Sequence, residues 1–395
     1  MNDLVIPEIV IPGGQLFLIF IGIVCALVLV LAVLQHSTSI KNLYSHKRLQ
    51  FSGLAILGAI LFVIASIALY NFLELTLWYS TETKNRHENA RNYALTLSAI
   101  LAVPFVIWRA FVAQQQANIS EQGLLTDRLS KAIEQLGALR QVENGASERS
   151  LEIRLGAIYS LERIAQENSD VHVQIMEILC AYVRNNSPNS SAIRMPYNAV
   201  QDGKLNTTIF DEWRYRFSPI SLDIQAVIDV IARRNSEQLS KESDAGYQID
   251  LNHSNLQNVD FRGGNFTSGI FNSTYLDGSN IGHAKFGNTN LNGAEFNGCI
   301  LTGANLDGAW CSLTTFVGTV MYAASTSFTA MDNCDLSHAL QLEQTQLDTM
   351  IGSISTKIPS NLDRPKVWGE YDDELYSHWF EAKRKAGLPK LHSIA

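Results

Sequence analysis

The chain has 395 residues and carries 38 acidic against 30 basic side chains, for a net charge of −8. This length accommodates two or three domains, and the acidic balance argues against a general nucleic-acid binder. The five cysteines show no C-x-x-C spacing, so we interpret them as buried apolar side chains and not as disulfides or metal ligands. They are Cys25, Cys180, Cys299, Cys311 and Cys334.

Long apolar runs near the N-terminus predict a membrane anchor with three transmembrane helices. Residues 15–35 form an uncharged run of 21 residues, which is long enough to cross the hydrocarbon core as a helix. A second, longer run covers residues 51–79 and ends in aromatic residues that suit the membrane interface. The third run, residues 93–112, is interrupted by Pro104, and an amphipathic surface helix is the alternative for it.

The placement of Lys and Arg predicts the orientation of this anchor. The tail before the first span has none, whereas the loop after it carries Lys41, Lys47 and Arg48. The loop after the second span is equally basic, with Lys84, Arg86 and Arg91, so the two loops tie, and Arg109, Arg128 and Lys131 follow the third span. With three spans, the positive-inside rule puts the N-terminus outside and the C-terminal domains in the cytoplasm. With two spans, the C-terminal part would share the side of the N-terminus. Ionisable residues lie only near span ends, which favours an anchor over a transporter. The alternative that several copies form a pore is not decided by the sequence.

A helical connector is expected after the anchor, because apolar residues recur at helical spacing from residue 125 onward. A break is predicted at Asn144-Gly145, and Ser147 or Ser150 is expected to cap the next helix. That helix has its apolar face between residues 151 and 164, and its residues 154–165 are similar to a helix of a HEAT-type repeat.

The rest of the connector contains two further helices and a loop. Asp170 is expected to start one helix, and residues 222–234 are expected to form the other. Between them, residues 185–219 contain three prolines and predict a loop.

The most regular stretch is a row in which a large apolar residue recurs at every fifth position. The row has eighteen positions, of which seventeen are apolar and only Thr326 is polar. One of the seventeen is Cys311. The other sixteen are predicted to form an inward-facing core: Leu251, Leu256, Phe261, Phe266, Phe271, Leu276, Ile281, Phe286, Leu291, Phe296, Leu301, Leu306, Phe316, Met321, Met331 and Leu336.

A period of five matches neither a helix, which repeats every ~3.6 residues, nor a half-buried strand, which alternates at every second residue. It is typical of a square coil in which each pentad forms one side and four pentads form one turn. Small residues stand two positions before most centres, and Asn, Asp and Gly suit the corners. We therefore predict a right-handed quadrilateral parallel β-helix at residues 246–340. A disordered linker would not account for the phased apolar row.

This stretch resembles the pentapeptide-repeat family, whose loose consensus is Ala-(Asp/Asn)-Leu-x-x. Ala304-Asn305-Leu306 matches the consensus fully. Many other pentads lack the Asn or Asp, as at Ile300 and Trp310, and the coil is expected to be less regular there.

The flanking segments also resemble those of a group of bacterial membrane-anchored pentapeptide-repeat proteins. Residues 126–137, 152–167 and 224–233 carry this likeness before the repeats, and residues 346–348 and 356–368 carry it after them. The resemblance implies a multi-pass protein of the bacterial inner (plasma) membrane.

These features divide the chain into four predicted parts. They are a membrane anchor at residues 1–115, a cytoplasmic helical connector at 116–245, the β-solenoid at 246–340, and a C-terminal cap and tail at 341–395. Because a solenoid needs its apolar ends covered, the connector is expected to cap the front. The C-terminal part, with an amphipathic piece around Leu375, is expected to cap the back.

No catalytic motif is evident, since the sequence has no Walker loop, H-E-x-x-H or G-x-S-x-G. We therefore predict no enzyme, no cofactor and no metal site. Three histidines are interpreted as surface residues: His172, His283 and His338. Four arginines are interpreted as part of a solvated face, with anionic lipid or a partner as the alternative contact: Arg214, Arg216, Arg233 and Arg234.

The favoured function is a non-enzymatic, membrane-anchored scaffold or protein-recognition module whose partners are membrane lipid and a protein. The sequence leaves homo-oligomerisation open. One alternative is a membrane-perturbing effector, for example in phage defence, with a cytoplasmic sensing region. A third is a DNA mimic that binds DNA gyrase. The repeats carry seven acids and two bases, whereas a duplex of equal length carries about thirteen phosphate charges, so the mimic is disfavoured.

Overall fold

A computed structural model describes residues 86–141, 147–368 and 375–387, and the isolated residues 63, 66, 67 and 70. The chain divides into two compact units, Met1–Gly123 and Leu124–Ala395. The break predicted at Asn144-Gly145 lies outside the described residues.

The longest helix of the described residues, α1, spans Arg86–Leu136 and contains the predicted third membrane span at residues 93–112. Across the described part of the chain, no helix combines the length and the apolar character that crossing a membrane requires, so this span is not supported. The spans predicted at residues 15–35 and 51–79 lie outside the described residues, apart from the four isolated positions.

Between α1 and the repeats, the described residues form two short hairpins, five α-helices and three short 3-10 helices, Ser169–Val171, Asn189–Ser191 and Tyr197–Ala199. The first hairpin pairs β1 (Leu139–Gln141) with β2 (Ser147–Arg149), and the second pairs β3 (Val200–Gln201) with β4 (Lys204–Leu205). The helices are α2 (Leu151–Glu167), α3 (His172–Asn186), α4 (Thr207–Tyr215), α5 (Leu222–Ala232) and α6 (Ser236–Ala245).

Helices α2, α3 and α5 pack around a common apolar core because each has one apolar face. Ile158, Leu161, Ile175 and Val227 are fully buried in it. Ser150 occupies the N-cap position of α2 but makes no capping bond with its side chain, so that part of the cap prediction is wrong.

The predicted loop at residues 185–219 is only partly correct, because it contains the second hairpin and α4. Asn206 caps α4 by accepting a hydrogen bond from the backbone amide of Ile209 at 3.3 Å. Phe210 and Trp213 are buried on one side of the helix. Those two aromatic residues were too few to give a helical periodicity among the prolines.

The repeats form a coil in which positions twenty residues apart are paired. Asp250, Ile270, Asn290 and Trp310 are linked in succession by parallel bridges, as are the corresponding positions on the other three sides. The sixteen large centres listed from the sequence all lie inside, and each is at most 1% exposed. We number the four faces by their first centres, which are Leu251, Leu256, Phe261 and Phe266.

The polar member of the row, Thr326, also points inward and is 2% exposed. Its hydroxyl donates to the carbonyl of Gln346 at 3.1 Å. This bond compensates the loss of an apolar centre, because a buried hydroxyl without a partner would be costly.

The small residues two positions before the centres contribute hydrogen bonds as well as space. Thr274, Ser279, Thr314 and Thr329 donate from their hydroxyls to carbonyl oxygens 23 residues earlier, at 2.7–3.0 Å. Cys299 makes the equivalent contact through its thiol at 2.9 Å. Each bond joins one coil to the preceding one.

The corners of the coil require a left-handed backbone. Two positions after every centre from Leu251 to Met331, φ lies between 51° and 70°. Gly and Asn adopt such angles at low cost, which explains their frequency there. Leu313 and Phe328 occupy the same conformation, so the regular coil imposes it even on bulky side chains.

The helical part closes the front of the solenoid by pairing with the first coil. Gln225 of α5 donates to the Asp260 carbonyl at 2.8 Å and accepts from the Asp260 amide at 3.0 Å. The Asn265 amide donates to the Ala232 carbonyl at 3.2 Å, and Arg234 donates to the Asn265 carbonyl at 2.5 Å. These bonds satisfy backbone groups that a free β edge would leave unpaired.

The back of the solenoid is closed by a short helix and a further strand. Strands β5 (Trp310–Ser312), β6 (Ala330–Asp332) and β7 (Ile351–Gly352) form a parallel sheet. Helix α7 (Gln344–Thr349) precedes β7, and Gln346 donates to the carbonyls of Met321 and Ala324 at 2.9 and 2.8 Å.

The last helix, α8 (Leu375–Lys385), was expected to help close the back end, and this expectation is wrong. Leu375 and Trp379 pack against Trp310 and Ala330 on the side of the coil. The reason is that residues before α8 already close the end, with Trp368 donating to the Met350 carbonyl at 3.2 Å. The apolar face of α8 therefore covers a lateral surface.

Candidate functional site

Helix α4 lies on the outside of the solenoid and runs parallel to its axis, at the corner that follows the second face. Two of its side chains and a third just after its end meet glycines on three successive coils, so closely that a methyl group added to each glycine would lie 2.6–3.0 Å from them. The contacts are Phe210 on Gly318, Arg214 on Gly298 and Phe217, just after the helix, on Gly278. The helix and the coil therefore run in register.

The register follows from the dimensions of the two elements. Phe210 and Arg214 are four residues apart and so lie about 6 Å apart along the helix, and neighbouring coils are about 4.8 Å apart. Side chains at i and i+4 can therefore each meet a separate coil, and Phe217 meets the third coil from the turn that follows α4. Trp213 supports this docking because it packs in one buried cluster with Phe210 and with Val317 of the coil. Its indole donates to the Ile193 carbonyl at 2.8 Å, which ties α4 to the segment before it.

Helix α8 uses the same arrangement at the corner that follows the fourth face. The Trp379 indole donates to the Phe328 carbonyl at 2.8 Å. One helical turn later, the Lys383 ammonium donates to the Gly308 carbonyl at 3.0 Å and lies 4.3 Å from the centre of the Trp379 ring. Residues four apart in the helix again meet neighbouring coils.

Lys383 is a buried cation without a carboxylate partner among the described residues. It is 3% exposed, and its only described hydrogen bond is to Gly308. Burial lowers the pKa of Lys383 from its ordinary value of 10.5 to about 8. The docked position of α8 is therefore sensitive to the charge on this side chain.

A buried carboxylate lies on the second face, where residues 187–217 cover the coil. Asp277 is fully buried and accepts from Gln257 at 2.9 Å and from the Asn297 amide at 3.0 Å. Burial, together with the charge of Glu295, raises the pKa of Asp277 well above its ordinary value. Because both carboxylate oxygens are bonded and enclosed, the group serves the packing of this segment and is not placed to act on a substrate.

The other acids of the repeats are also largely engaged, which weakens the DNA-mimic alternative. Asp250 pairs with Arg184 at 3.1 Å, and Asp335 pairs with Lys357 at 3.3 Å. Asp260 forms an ion pair with Arg262 at 2.5 Å. A DNA mimic needs a continuous row of uncompensated negative charge, and these acids do not form one.

Two polar networks are buried in the helical part, and the sequence did not reveal either. In the first, Arg154 of α2 and Tyr182 of α3 both bond to Asp223 of α5. Burial alone would raise the pKa of Asp223, but hydrogen bonds from Ser221 and Tyr182 and the charge of Arg154 outweigh it. They hold that pKa below its ordinary value.

The second network contradicts two of the surface predictions. His172 is fully buried and lies 2.7 Å from Glu242, and Arg234, 8% exposed, also bonds to Glu242. Both are buried because α6 packs against α3 and brings Glu242 between them. Arg233 is half-exposed as expected and forms a bidentate pair with Glu162 at 2.5 and 2.7 Å.

The other two histidines and the remaining arginines lie closer to solvent. His283 is exposed and His338 is half-buried. Arg214 and Arg216 are exposed on and beside α4.

A cavity of about 510 Å³ lies beside the first network, between α1, α2 and α3. Its lining includes Ile133, Leu136, Ile178 and the buried Arg154. Asp223 balances the charge of Arg154, so the cavity lacks the uncompensated cation that would hold an anion.

The four described cysteines are buried and free: Cys180, Cys299, Cys311 and Cys334. Cys25 lies outside the described residues. Burial raises the pKa of each of the four thiols, so they are poor nucleophiles. Within the described residues, no group of His, Cys, Asp and Glu is arranged to hold a metal ion.

Comparison with known proteins agrees with the architecture of the repeats. Residues 247–282, 279–316 and 299–337 match the family model of pentapeptide repeats, in eight copies. This region is therefore a pentapeptide-repeat β-helix, and the predicted solenoid is confirmed. No curated protein matches the chain.

Several solved structures are similar to part of this chain. HetL from Nostoc sp. strain PCC 7120, a pentapeptide repeat protein involved in heterocyst differentiation regulation, is 19% identical with a TM-score of 0.17. The match covers 27% of this chain and 54% of HetL, so this chain spans about half the length of HetL. A pentapeptide repeat protein from the Arabidopsis thaliana thylakoid lumen is 19% identical with a TM-score of 0.18, covering 31% and 75%. QnrB1, a plasmid-mediated fluoroquinolone resistance protein, is 13% identical with a TM-score of 0.20, covering 34% and 85%.

Proposed function

We propose that this chain is a non-enzymatic, membrane-anchored recognition module whose solenoid presents its open faces to a protein partner in the bacterial cytoplasm. The observation that carries the proposal is the docking of α4 and α8 on the coil. Each helix meets successive coils with residues about one helical turn apart. The solenoid therefore has the geometry of a rod that binds protein segments along its length.

The rigidity of the coil supports this role. The inward row is buried, and the coils are joined by backbone bonds and by buried hydroxyl groups. A preorganised surface loses little conformational entropy when a partner binds. By contrast, the buried acids and thiols of the described residues are enclosed, and none is positioned beside an open cleft with a second catalytic group.

Membrane anchoring is the part of the proposal that the sequence supports. The uncharged run at residues 15–35 has the length of a membrane span, and the first basic loop follows it. Extraction of native membranes at alkaline pH tests this part. We expect the full chain to stay in the membrane pellet, and its complete release into the supernatant would refute the anchor.

Photocrosslinking in the native host tests the recognition role. A photoreactive amino acid is placed in the full chain at one exposed position on the third face, Tyr322, and one on the fourth, Thr267. Tyr159, exposed on α2, serves as the control position. We expect a discrete adduct with one protein partner from the solenoid and not from Tyr159. Adducts with other copies of this chain alone would contradict the proposal.

A further inference from the structure

Part of the third face carries an exposed apolar row, which we call the third-face stripe: Ile300, Tyr322 and Leu340, with the half-buried Val320 between them. Ile300, Val320 and Leu340 are paired across successive coils. Ile300 is 40% exposed, Tyr322 55% and Leu340 49%. The outward positions of a pentapeptide coil are mostly polar in this chain, so the stripe is a departure from its own pattern.

The spacing of the stripe fits a helix that lies parallel to the solenoid axis. Neighbouring coils are separated by about 4.8 Å, so the stripe extends about 10 Å from Ile300 to Leu340. Residues i, i+3 and i+7 of a helix lie at about 0, 4.5 and 10.5 Å along its axis. Helices α4 and α8 already place side chains four residues apart on neighbouring coils of the same solenoid.

The charge beside the stripe indicates what kind of helix would bind. Arg214 lies against Gly298, two residues before Ile300, and its side chain is exposed. Among the described residues, no carboxylate lies within 4.0 Å of the Arg214 guanidinium. Lys285, on the neighbouring fourth face, is also exposed and has no such ion pair within the described part of the chain.

We propose that the third-face stripe binds an amphipathic helix of a partner protein. The helix would place apolar or aromatic side chains on Ile300, Val320 and Leu340 and acidic side chains toward Arg214. This inference rests on the proposed recognition function and assigns it a surface and a partner chemistry.

A second copy of this chain fits the stripe less well than a helix does. Stable interfaces bury about 800 Å² on each partner, and a stripe about 10 Å long is too small for that. A single helix needs only a row of this size.

Binding of a synthetic peptide to the full chain tests the inference. The probe is a fluorescent stapled helix with Leu, Phe and Leu at i, i+3 and i+7 and with Glu on one flank. A second peptide replaces each Glu with Lys. Fluorescence anisotropy is measured for the unmodified protein, Ile300→Ser, Leu340→Ser and Arg214→Gln. The matched control is Ile354→Ser, since Ile354 is 62% exposed in the C-terminal cap.

We expect saturable binding of the acidic peptide, weakened about tenfold or more by Ile300→Ser and by Leu340→Ser. Arg214→Gln should weaken the binding of the acidic peptide and not that of the Lys peptide. Ile354→Ser should leave the binding of both peptides unchanged. Absence of saturable binding would overturn the inference, as would an equal loss in Ile354→Ser. Sedimentation showing that Ile300→Ser converts a dimer to a monomer would assign the stripe to a second copy and overturn it too.

Failure of the stripe assignment can be distinguished from failure of the proposed recognition function. If photocrosslinking captures a partner through Thr267 but not through Tyr322, and the peptide fails to bind, only the assignment of the stripe fails. If no position on the solenoid yields a partner, the recognition function itself fails.

Discussion

Phe210 of α4 and Gly318 of the solenoid are in such close contact that a methyl group on Gly318 would lie 2.6 Å from the Phe210 ring. The same glycine has a φ of 68°. One position therefore satisfies two requirements, a left-handed corner and the approach of a docked helix. A partner segment on this solenoid would encounter the same kind of corner.

The energetic cost of the left-handed corner and that of the contact with α4 should be separable by comparing Gly318→Ala with Gly263→Ala. Gly263 has a φ of 66°, but no atom lies within 4 Å of an added methyl group. Gly263→Ala should therefore lower the free energy of unfolding by about 1–2 kcal/mol. Gly318→Ala should cost about 1–3 kcal/mol more, because Phe210 must move.

Urea denaturation measures both values, and limited proteolysis beside Arg214 reports whether α4 has detached. Equal costs for the two variants would show that α4 is not tightly docked.

The docking of α8 should become stronger as the pH rises through the range that spans the pKa of Lys383. In the docked helix this pKa is about 8, below its ordinary value of 10.5. The released state therefore binds more protons between these values, and the free energy of docking increases with pH. Above about pH 10.5 the dependence ends, because Lys383 is neutral in both states.

Trp379 fluorescence across this range measures the docking equilibrium. Lys383→Met should remove the pH dependence and stabilise docking at neutral pH. Lys385→Met, with a side chain that is 76% exposed on the same helix, should retain it. A pH dependence that persists in Lys383→Met would contradict the assignment.

Loss of Asp223 should destabilise the helical part strongly, because it leaves Arg154 buried without a counterion. Asp223 has a side chain that is 1% exposed, and Arg154 has one that is 9% exposed. Asp223→Asn should cost about 3–5 kcal/mol. Asp170→Asn is the control, since Asp170 is 92% exposed in its pair with Lys241, and should cost less than about 1 kcal/mol.

The same carboxylate should make the stability of the protein depend on acid pH. Its pKa in the folded state lies below the ordinary value of 3.8. Asp223 therefore contributes stability that is fully present above that value and is lost as the pH falls through the folded-state pKa. Urea denaturation between pH 6 and 2 should show a smaller acid dependence in Asp223→Asn than in the unmodified protein.

The hydroxyl bonds between coils should also be measurable one at a time. Thr314 is fully buried and donates to the Leu291 carbonyl at 2.8 Å. Thr314→Val keeps the shape and removes the donor, so it should cost about 1–2 kcal/mol in thermal or chemical unfolding. Thr302, on the outward side, is the control, and Thr302→Val should stay within about 0.5 kcal/mol. Equal effects would argue against a structural role of the buried bond.

The solenoid could be predicted from the sequence because its signal is local and repeated. Each of the sixteen large centres obeys the same five-residue period, and even Thr326, the exception, points inward. The position of α4 could not be predicted in this way. Its position depends on Phe210 and Arg214 meeting glycines about 100 residues later, and no local period records such a contact.

The errors at His172, Arg234 and α8 have the same physical origin. His172 and Arg234 belong to residue types that usually lie at the surface. Both nevertheless bond to Glu242, on a helix that the sequence did not reveal. The amphipathic character of α8 was visible from Leu375 and Trp379, but the surface that it covers was not. A polar side chain is buried or exposed according to the partners that the fold brings to it.

By itself, the sequence determined that this protein contains a quadrilateral coil with an apolar axis. The reason is that each pentad places its central side chain inside the coil and most of its polar side chains outside. Only the tertiary structure decided which outer surfaces remain open. That depends on where α4 and α8 lie and on the exposed stripe at Ile300 and Leu340. The physical reason is that core burial follows from short-range periodicity, whereas the occupation of a surface follows from contacts between residues far apart in the chain.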